Sequence, residues 1–422
     1  MKILFFSLLI LFVSVKADEY KDFDEFWKNL TEMLETIAKL IPLSPDANRN
    51  ISELIDYYGY PYEEHTVTTE DGYILTMHRI QYGRNKTDAE ASRPVAFFNH
   101  GMGGCSMQYV NGGPDRALGM MFADAGYDVW MVNTRGTTYA THQSLTEKDS
   151  DYWDYSFHEK AIYDLPVSID YVITTTGQES VTYIGHSEGT TEGLILTSTK
   201  PEYNDKINLM VLLSPVAYMS NLTSPLVRLA SQQQELIETI LNLLNIHGIP
   251  FSPVLAALAK IFCNDASSLQ NMCVVLLDFV MGFDIYQLDK SFIPVIANSM
   301  PAGTSVKEMI HYGQGIKSGL FRQYDYGILN LYHYGTFDPP SYDMQKVTCP
   351  VASYYGKNDY FAAISDVEQL LHELPNKATS HLIDYEYFNH IDFVFSKDLK
   401  ELIFDKVIEV VQKYNPTNPS PK

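Results

Sequence analysis

A serine stands in the run Gly185-His186-Ser187-Glu188-Gly189, between a strand-like stretch, Val181-Thr182-Tyr183-Ile184, and a segment from Thr190 that can open a helix. A G-x-S-x-G so placed is a nucleophile elbow: the glycines permit a turn too sharp for a Cβ, and the hydroxyl is left exposed at the sheet edge. The chemistry it implies is acyl transfer through a serine ester. That chemistry needs partners in the order serine, acid, histidine. Val351-Ala352-Ser353-Tyr354-Tyr355 reads as a buried strand running into Gly356-Lys357-Asn358-Asp359, a loop suited to the acid. Tyr385-Glu386-Tyr387-Phe388-Asn389-His390 then places a histidine in a loop before the apolar residues 391–395. His390 is expected to take the Ser187 proton and return it to the leaving alcohol. Asp359 would fix the ring's tautomer and stabilise the imidazolium. Asp366, Asp384 and Asp392 are rival acids, and His381 is a rival base.

The tetrahedral intermediate also needs N–H donors. Pro94-Val95-Ala96-Phe97-Phe98-Asn99 reads as a core strand leading into His100-Gly101-Met102-Gly103-Gly104, where a glycine-rich loop can turn a backbone N–H onto the oxyanion. Met102 is the expected first donor and Glu188, the residue after the nucleophile, the second. His100 and His186 sit beside strand ends and read as structural.

Strand and helix signals alternate from about residue 60 to 215, as a doubly wound α/β sheet requires. From 216 to 335 strands are sparse, and Leu236, Ile237, Ile240, Leu241 and Leu244 recur at helical spacing. The expected class is therefore α/β, a mostly parallel sheet flanked by helices with an inserted helical cap. The core would comprise 46–215 and 336–414, and the cap 216–335. An apolar inner face of such a cap would hold acyl chains. Ahead of the core, 18–45 is an amphipathic extension. Phe23, Phe26, Trp27, Leu30, Met33, Leu34, Ile37 and Ile41 form one helical stripe, with Asp22, Glu25, Glu32 and Glu35 among the polar residues. It could dock on the cap, bind lipid or be a removed pro-segment, and packing on the enzyme is the simplest expectation. The tail, 415–422, is proline-rich and expected to be disordered.

These segments carry a resemblance. The chain resembles the gastric and lysosomal acid lipases, α/β-hydrolases that cleave triacylglycerols and cholesteryl esters, from about residue 50 to 414. The similar stretches are 51–62 (ISELIDYYGYPY), Thr69-Glu70-Asp71-Gly72-Tyr73-Ile74-Leu75, Asn133-Thr134-Arg135-Gly136, Tyr163-Asp164-Leu165-Pro166 and Pro301-Ala302-Gly303-Thr304-Ser305-Val306. The resemblance implies a triad on Ser187, Asp359 and His390 with oxyanion donors at Met102 and Glu188. It also implies a cap disulfide between Cys263 and Cys273 and a mobile lid over about 252–281. The chain departs from the family's usual pattern, which has Gln at position 188 and Leu at 102. An ionised Glu188 at roughly 6 Å from the oxyanion, with an effective dielectric of ~20, would cost about 3 kcal/mol. The side chain is therefore expected either to point away or to be protonated at the working pH.

With 422 residues, 45% hydrophobic and 13% aromatic, the chain can bury a large core. A net charge of −22 and the lack of a basic, aromatic-interleaved cluster exclude a nucleic-acid surface. Lys2, the apolar run 3–13 and Val15-Lys16-Ala17 read as a secretory signal over 1–17. No run is long enough for a transmembrane segment. Asn29, Asn50, Asn85 and Asn221 head N-x-S/T sequons, which a lumenal route would make glycosylation candidates. Four cysteines suit an oxidising compartment, with Cys105 and Cys349 as buried thiols. No metal or other cofactor is expected. The partner is a neutral lipid at a lipid–water interface, with no obligate protein partner, in the lysosome or outside the cell. The rival in the same fold is an esterase for small soluble esters. A rival of another class is a non-catalytic lipid-binding homologue.

Overall fold

The computed structural model describes residues 21–85, 92–284 and 286–416. The signal segment 1–17 and residues 417–422 of the tail lie outside the described residues. The chain builds strands β1 (Glu63–Thr68), β2 (Tyr73–Ile80), β3 (Val95–Asn99), β4 (Asp128–Met131), β5 (Ala140–His142), β6 (Val181–His186), β7 (Ile207–Leu213), β8 (Gly248–Pro250), β9 (Gly303–Ser305), β10 (Val351–Tyr355) and β11 (Lys377–Leu382). The main sheet runs β1-β2-β4-β3-β6-β7-β10-β11, with β5 paired to β2. Pairings from β4 to β11 are parallel, and those of β1, β2 and β5 are antiparallel.

Every residue of β3, β4, β6 and β10 is buried, so these strands show no alternation of exposed and buried sides and need cover on both faces. Ala96 and Phe98 pack towards helices Leu118–Asp124 and Asp405–Tyr414. Val95 and Phe97 pack towards helices Leu165–Thr176 and Glu188–Thr199. The similar stretches named above meet here. Arg135 of the Asn-Thr-Arg-Gly run is almost wholly buried, with Nη2 2.7 Å from Asp164 and Nη1 2.6 Å from Asp71. Three segments far apart in sequence are thus tied by one charge that burial alone would penalise.

Between β7 and β10 the chain forms helices Pro225–Gln232, Gln234–Leu243, Pro253–Phe262, Gln270–Met281 and Val306–Ser318, among shorter ones. It also contains an antiparallel pair, β8 with β9, in a region where sequence signals show few strands. Each of these strands is three residues long and carries glycine or proline, too short for a period-two pattern. A disulfide joins Cys263 and Cys273 across the turn between two of the helices. The extension forms a helix, Lys21–Lys39, that packs along helix Pro253–Phe262. Ala38 is buried there, whereas Met33, Ile37 and Leu40 stay exposed. The first side chains of the stripe, Phe23, Phe26 and Trp27, lie outside the described residues.

Candidate active site

Five neighbouring strands each deliver a group to the carboxyl edge of the sheet: the glycine loop follows β3, Ser187 follows β6, Ser214 follows β7, Asp359 follows β10 and His390 follows β11. Ser187 has φ 54° and ψ −118°, a left-handed conformation at the mouth of helix Glu188–Thr199. The flanking glycines explain how the chain reaches it. A Cβ on Gly185 would lie 2.6 Å from the Gly189 carbonyl carbon, and one on Gly189 would strike the Asn99 carbonyl oxygen. The elbow therefore packs directly against the end of β3, and no side chain fits at either position.

His390 Nε2 lies 2.7 Å from Ser187 Oγ, and its Nδ1 lies 2.9 Å from Asp359 Oδ1 and 3.1 Å from Oδ2. An ionised Asp359 accepts from Nδ1–H, which leaves Nε2 to accept the serine proton. Asp359 Oδ1 also accepts the N–H groups of Phe361 and Ala362, each at 2.9 Å. Burial pushes this carboxyl up, but the His390 ring, the Ser214 hydroxyl and the Ala362 N–H outweigh it and hold it below the ordinary carboxylate range. The rivals lie elsewhere. Asp366 accepts from Asn221, Asp384 is exposed, Asp392 accepts the Asn389 N–H at 2.8 Å, and His381 sits on β11.

A fourth side chain joins the relay. Ser214 is fully buried, has φ 56°, and donates to Asp359 Oδ2 at 2.5 Å with its Oγ 2.8 Å from His390 Nδ1. Sequence reasoning does not find it, because Leu213-Ser214-Pro215 reads as an ordinary strand end. The usable signal is a polar residue ending the core strand beside the nucleophile's strand. His186 Nε2 donates to the His390 carbonyl at 3.0 Å, and burial lowers its pKa to about 3, so it braces the histidine loop as a neutral ring. His100, likewise lowered to about 3 by burial, sits with Nδ1 2.8 Å from the Gly101 carbonyl and Nε2 3.2 Å from the Thr134 N–H.

The glycine loop lies against the nucleophile: a Cβ on Gly101 would sit 3.0 Å from Ser187 Cβ. Met102 follows it, 42% exposed. The Glu188 side chain points away, fully buried, with Oε1 2.7 Å from Lys160 Nζ. Of the two arrangements expected for it, turning away is the one present, and its charge is met by an ammonium. Asn29, Asn50, Asn85 and Asn221 are all exposed, though the Asn221 amide donates to Asp366 Oδ1 at 2.7 Å and Asn50 caps helix Ile51–Tyr57. Among the described residues, no group of His, Cys, Asp and Glu side chains is arranged to hold a metal ion, and no helix is long and apolar enough to cross a membrane.

A profile described as a partial α/β-hydrolase lipase region matches residues 51–113, and the α/β-hydrolase fold profile matches residues 94–247. The chain is 41% identical to Lipase 3 of Drosophila melanogaster, over 86% of this chain and 92% of that protein. It is 36% identical to the lysosomal acid lipase/cholesteryl ester hydrolase of Homo sapiens, over 89% and 94%. The same identity and coverage hold for the gastric triacylglycerol lipase of Mus musculus. Among solved structures, a putative lipase from Sulfolobus solfataricus superposes with a TM-score of 0.54 at 13% identity, covering 83% of this chain and 99% of that one, a likeness of fold.

Proposed function

This chain belongs to the family of the acid lipases, and on that premise we propose that it is a serine hydrolase of the carboxylic esters of neutral lipids, triacylglycerols or cholesteryl esters. The observation that carries the reading is the unbroken relay from Ser187 Oγ through His390 to Asp359 on a strained elbow. Ser187 attacks the ester carbonyl as His390 Nε2 takes its proton, and the backbone N–H groups of Met102 and Glu188 hold the oxyanion. Collapse expels the alcohol, which receives the proton from His390. Water, deprotonated by the same nitrogen, then releases the fatty acid and restores Ser187.

Residues 216–335 act as a cap, and 252–281 as its mobile lid. Phe262, Leu269, Met272, Val275 and Leu276 expose apolar surface on that segment, in keeping with docking at a lipid–water interface. The protein travels the secretory pathway to a lysosomal or extracellular site, with Asn29, Asn50, Asn85 and Asn221 as glycosylation sites.

The test is fatty-acid release from emulsified long-chain triacylglycerol and from cholesteryl ester across acidic to neutral pH, with Ser187→Ala alongside. The mutant should lose a factor on the order of 10⁴–10⁶ in turnover. Cleavage of short soluble esters without release from either lipid would make the protein a small-ester esterase. Lack of fluorophosphonate labelling at Ser187 would make it a lipid binder.

A further inference from the structure

Next to the nucleophile, reached through Glu188, lies a buried charge cluster that the triad does not use. Lys160 is 1% exposed, and its ammonium is 2.7 Å from Glu188 Oε1, 2.8 Å from Glu308 Oε1 and 3.0 Å from Glu308 Oε2. Thr304 donates to Glu308 at 2.6 Å, and Ser305 Oγ accepts the Glu308 N–H at 2.9 Å. Glu192, one helical turn beyond Glu188, is also fully buried and takes a 2.6 Å hydrogen bond from Asn99. Three carboxyls thus face one ammonium. The other titratable groups against them are Tyr109, Tyr155, Tyr183, Tyr312 and His100. The tyrosines are raised by burial and the histidine is lowered to about 3, so all five are neutral near pH 7.

The cluster connects both arms of the oxyanion hole. Glu188 carries one donor N–H on its own backbone. The other arm, the Met102 loop, is bonded to the same segment that ends in Glu308, because the Ala302 N–H donates to the Gly103 carbonyl at 2.6 Å. Residues 302–308 therefore form a strap from one arm to the other, and Lys160 closes it onto Glu188.

We propose that Lys160 is a positioning residue for the ester hydrolysis: its ammonium ties Glu188 to Glu308, fixes the two oxyanion donors relative to each other, and lets this chain carry a glutamate directly after the nucleophile. The inference rests on the ester-hydrolase reading and deepens it. Burial alone would lower the Lys160 pKa, but the surrounding carboxyls, Glu188 first and then Glu308 and Glu192, outweigh it and keep the ammonium charged. Burial and the Glu188 charge raise Glu308 to about 8, against the pull of Lys160, and burial raises Glu192 well above its ordinary range. Without the ammonium, a carboxylate in this buried pair has no cation beside it, which a dry site penalises. The damage must then grow as pH rises.

The test uses Lys160→Met in the full chain. It is assayed on a soluble p-nitrophenyl ester, with active sites counted by fluorophosphonate titration. We expect kcat to fall about ten- to a hundredfold at neutral pH, with KM little changed and much of the loss recovered at acid pH. The triple variant Lys160→Met/Glu188→Gln/Glu308→Gln, which removes the cation and both carboxyls it bonds, should return the pH profile to near that of the parent. A folded Lys160→Met with unchanged kcat and an unshifted profile overturns the proposal. So does a triple variant that folds yet keeps the pH-dependent defect. If Lys160→Met does not fold, Glu308→Gln decides: a kcat loss without a KM change supports the strap, and parental kinetics overturn it. Failure of the parent protein to label at Ser187 would instead defeat the hydrolase reading itself.

Discussion

Replacing Ser214 by alanine isolates one hydrogen bond in the relay. The hydroxyl donates to Asp359 Oδ2 at 2.5 Å, while Oδ1 is already supplied by two backbone N–H groups. Its oxygen, 2.8 Å from His390 Nδ1, also shares the ring proton with the carboxylate. As the ring becomes imidazolium in the transition state, both contacts strengthen, so their loss is felt in kcat. A hydrogen bond to a charged group contributes about 1.5–3 kcal/mol, and if half or more of that is expressed only in the transition state, kcat falls roughly tenfold. KM should hold, because Ser214 is buried and does not reach the ester.

The pH profile gives a second readout. Asp359 lies below its ordinary range partly through the Ser214 hydroxyl, so its removal raises the carboxyl. The relay needs Asp359 ionised, so the loss of kcat/KM at the acid extreme, where this carboxyl takes up its proton, must move to higher pH. The assay is steady-state hydrolysis of a soluble ester over about pH 3–8, normalised to fluorophosphonate-titrated sites. Ser214→Gly is the control for backbone effects, since φ 56° suits glycine better than any other residue. It should lose as much activity as the alanine variant. A Ser214→Ala enzyme within about twofold of the parent, with an unmoved acid limb, would refute the assigned role.

Gly189→Ala should slow phosphonylation of Ser187 by about a hundredfold, because the new Cβ meets the Asn99 carbonyl and the elbow must retreat from β3. Labelling at the parental rate would show that the elbow tolerates the shift. Cys263→Ser opens a loop closed over a separation of 10 residues and should cost at most about 2–3 kcal/mol, read as a lower Tm under non-reducing conditions and an unchanged one with reductant present. Asp278→Asn should raise Tm at about pH 7.5 and leave it nearly unchanged at about pH 4. Burial holds Asp278 up at about 6, so its contribution is present below the unfolded-state pKa and lost as pH rises through 6. A Tm gain equal at both pH values would defeat that account.

The parts legible in the sequence are those with a local physical signature. Strands β3, β6 and β10 are short apolar runs closed by turn residues, and the elbow announces itself because two glycines are demanded by backbone contact. The Asp359 and His390 loops follow from where strands stop. What escaped is polar pairing at long range. Ser214 and Asp359 are 145 residues apart, and Lys160 and Glu308 are 148 apart. No periodicity records such a contact, and a lysine preceding an apolar helix looks like a solvated one until its neighbours are known. The Glu188 side chain shows the same limit. Its type signals a conflict with the oxyanion, but the resolution is the ammonium of Lys160, 28 residues earlier, which no spacing rule ties to it.

The ionisable groups around the site sort into two sets with opposite needs. Asp359 is held low, so the relay keeps its charge well into acid; its stabilising contribution is present above the unfolded-state pKa and lost only as pH falls through the lowered folded value. Glu308 behind the elbow is raised to about 8, Asp278 on helix Gln270–Met281 to about 6, and Asp392 beside His390 is raised well above its ordinary value, each first of all by burial. Their sign is reversed. Each favours the folded state while protonated, and that advantage drains away as pH climbs through the raised value. At mildly acid pH both conditions hold at once: the buried carboxyls are neutral and the one carboxylate that catalysis uses is ionised. Raising the pH leaves Asp359 untouched but charges Asp278 and Asp392 where helix Gln270–Met281 meets the histidine loop, through His390 N–H to Met281 at 3.3 Å and Asn389 to Gly282 at 2.8 Å. The alkaline limit on activity should therefore be set by loosening of this junction rather than by titration of the relay.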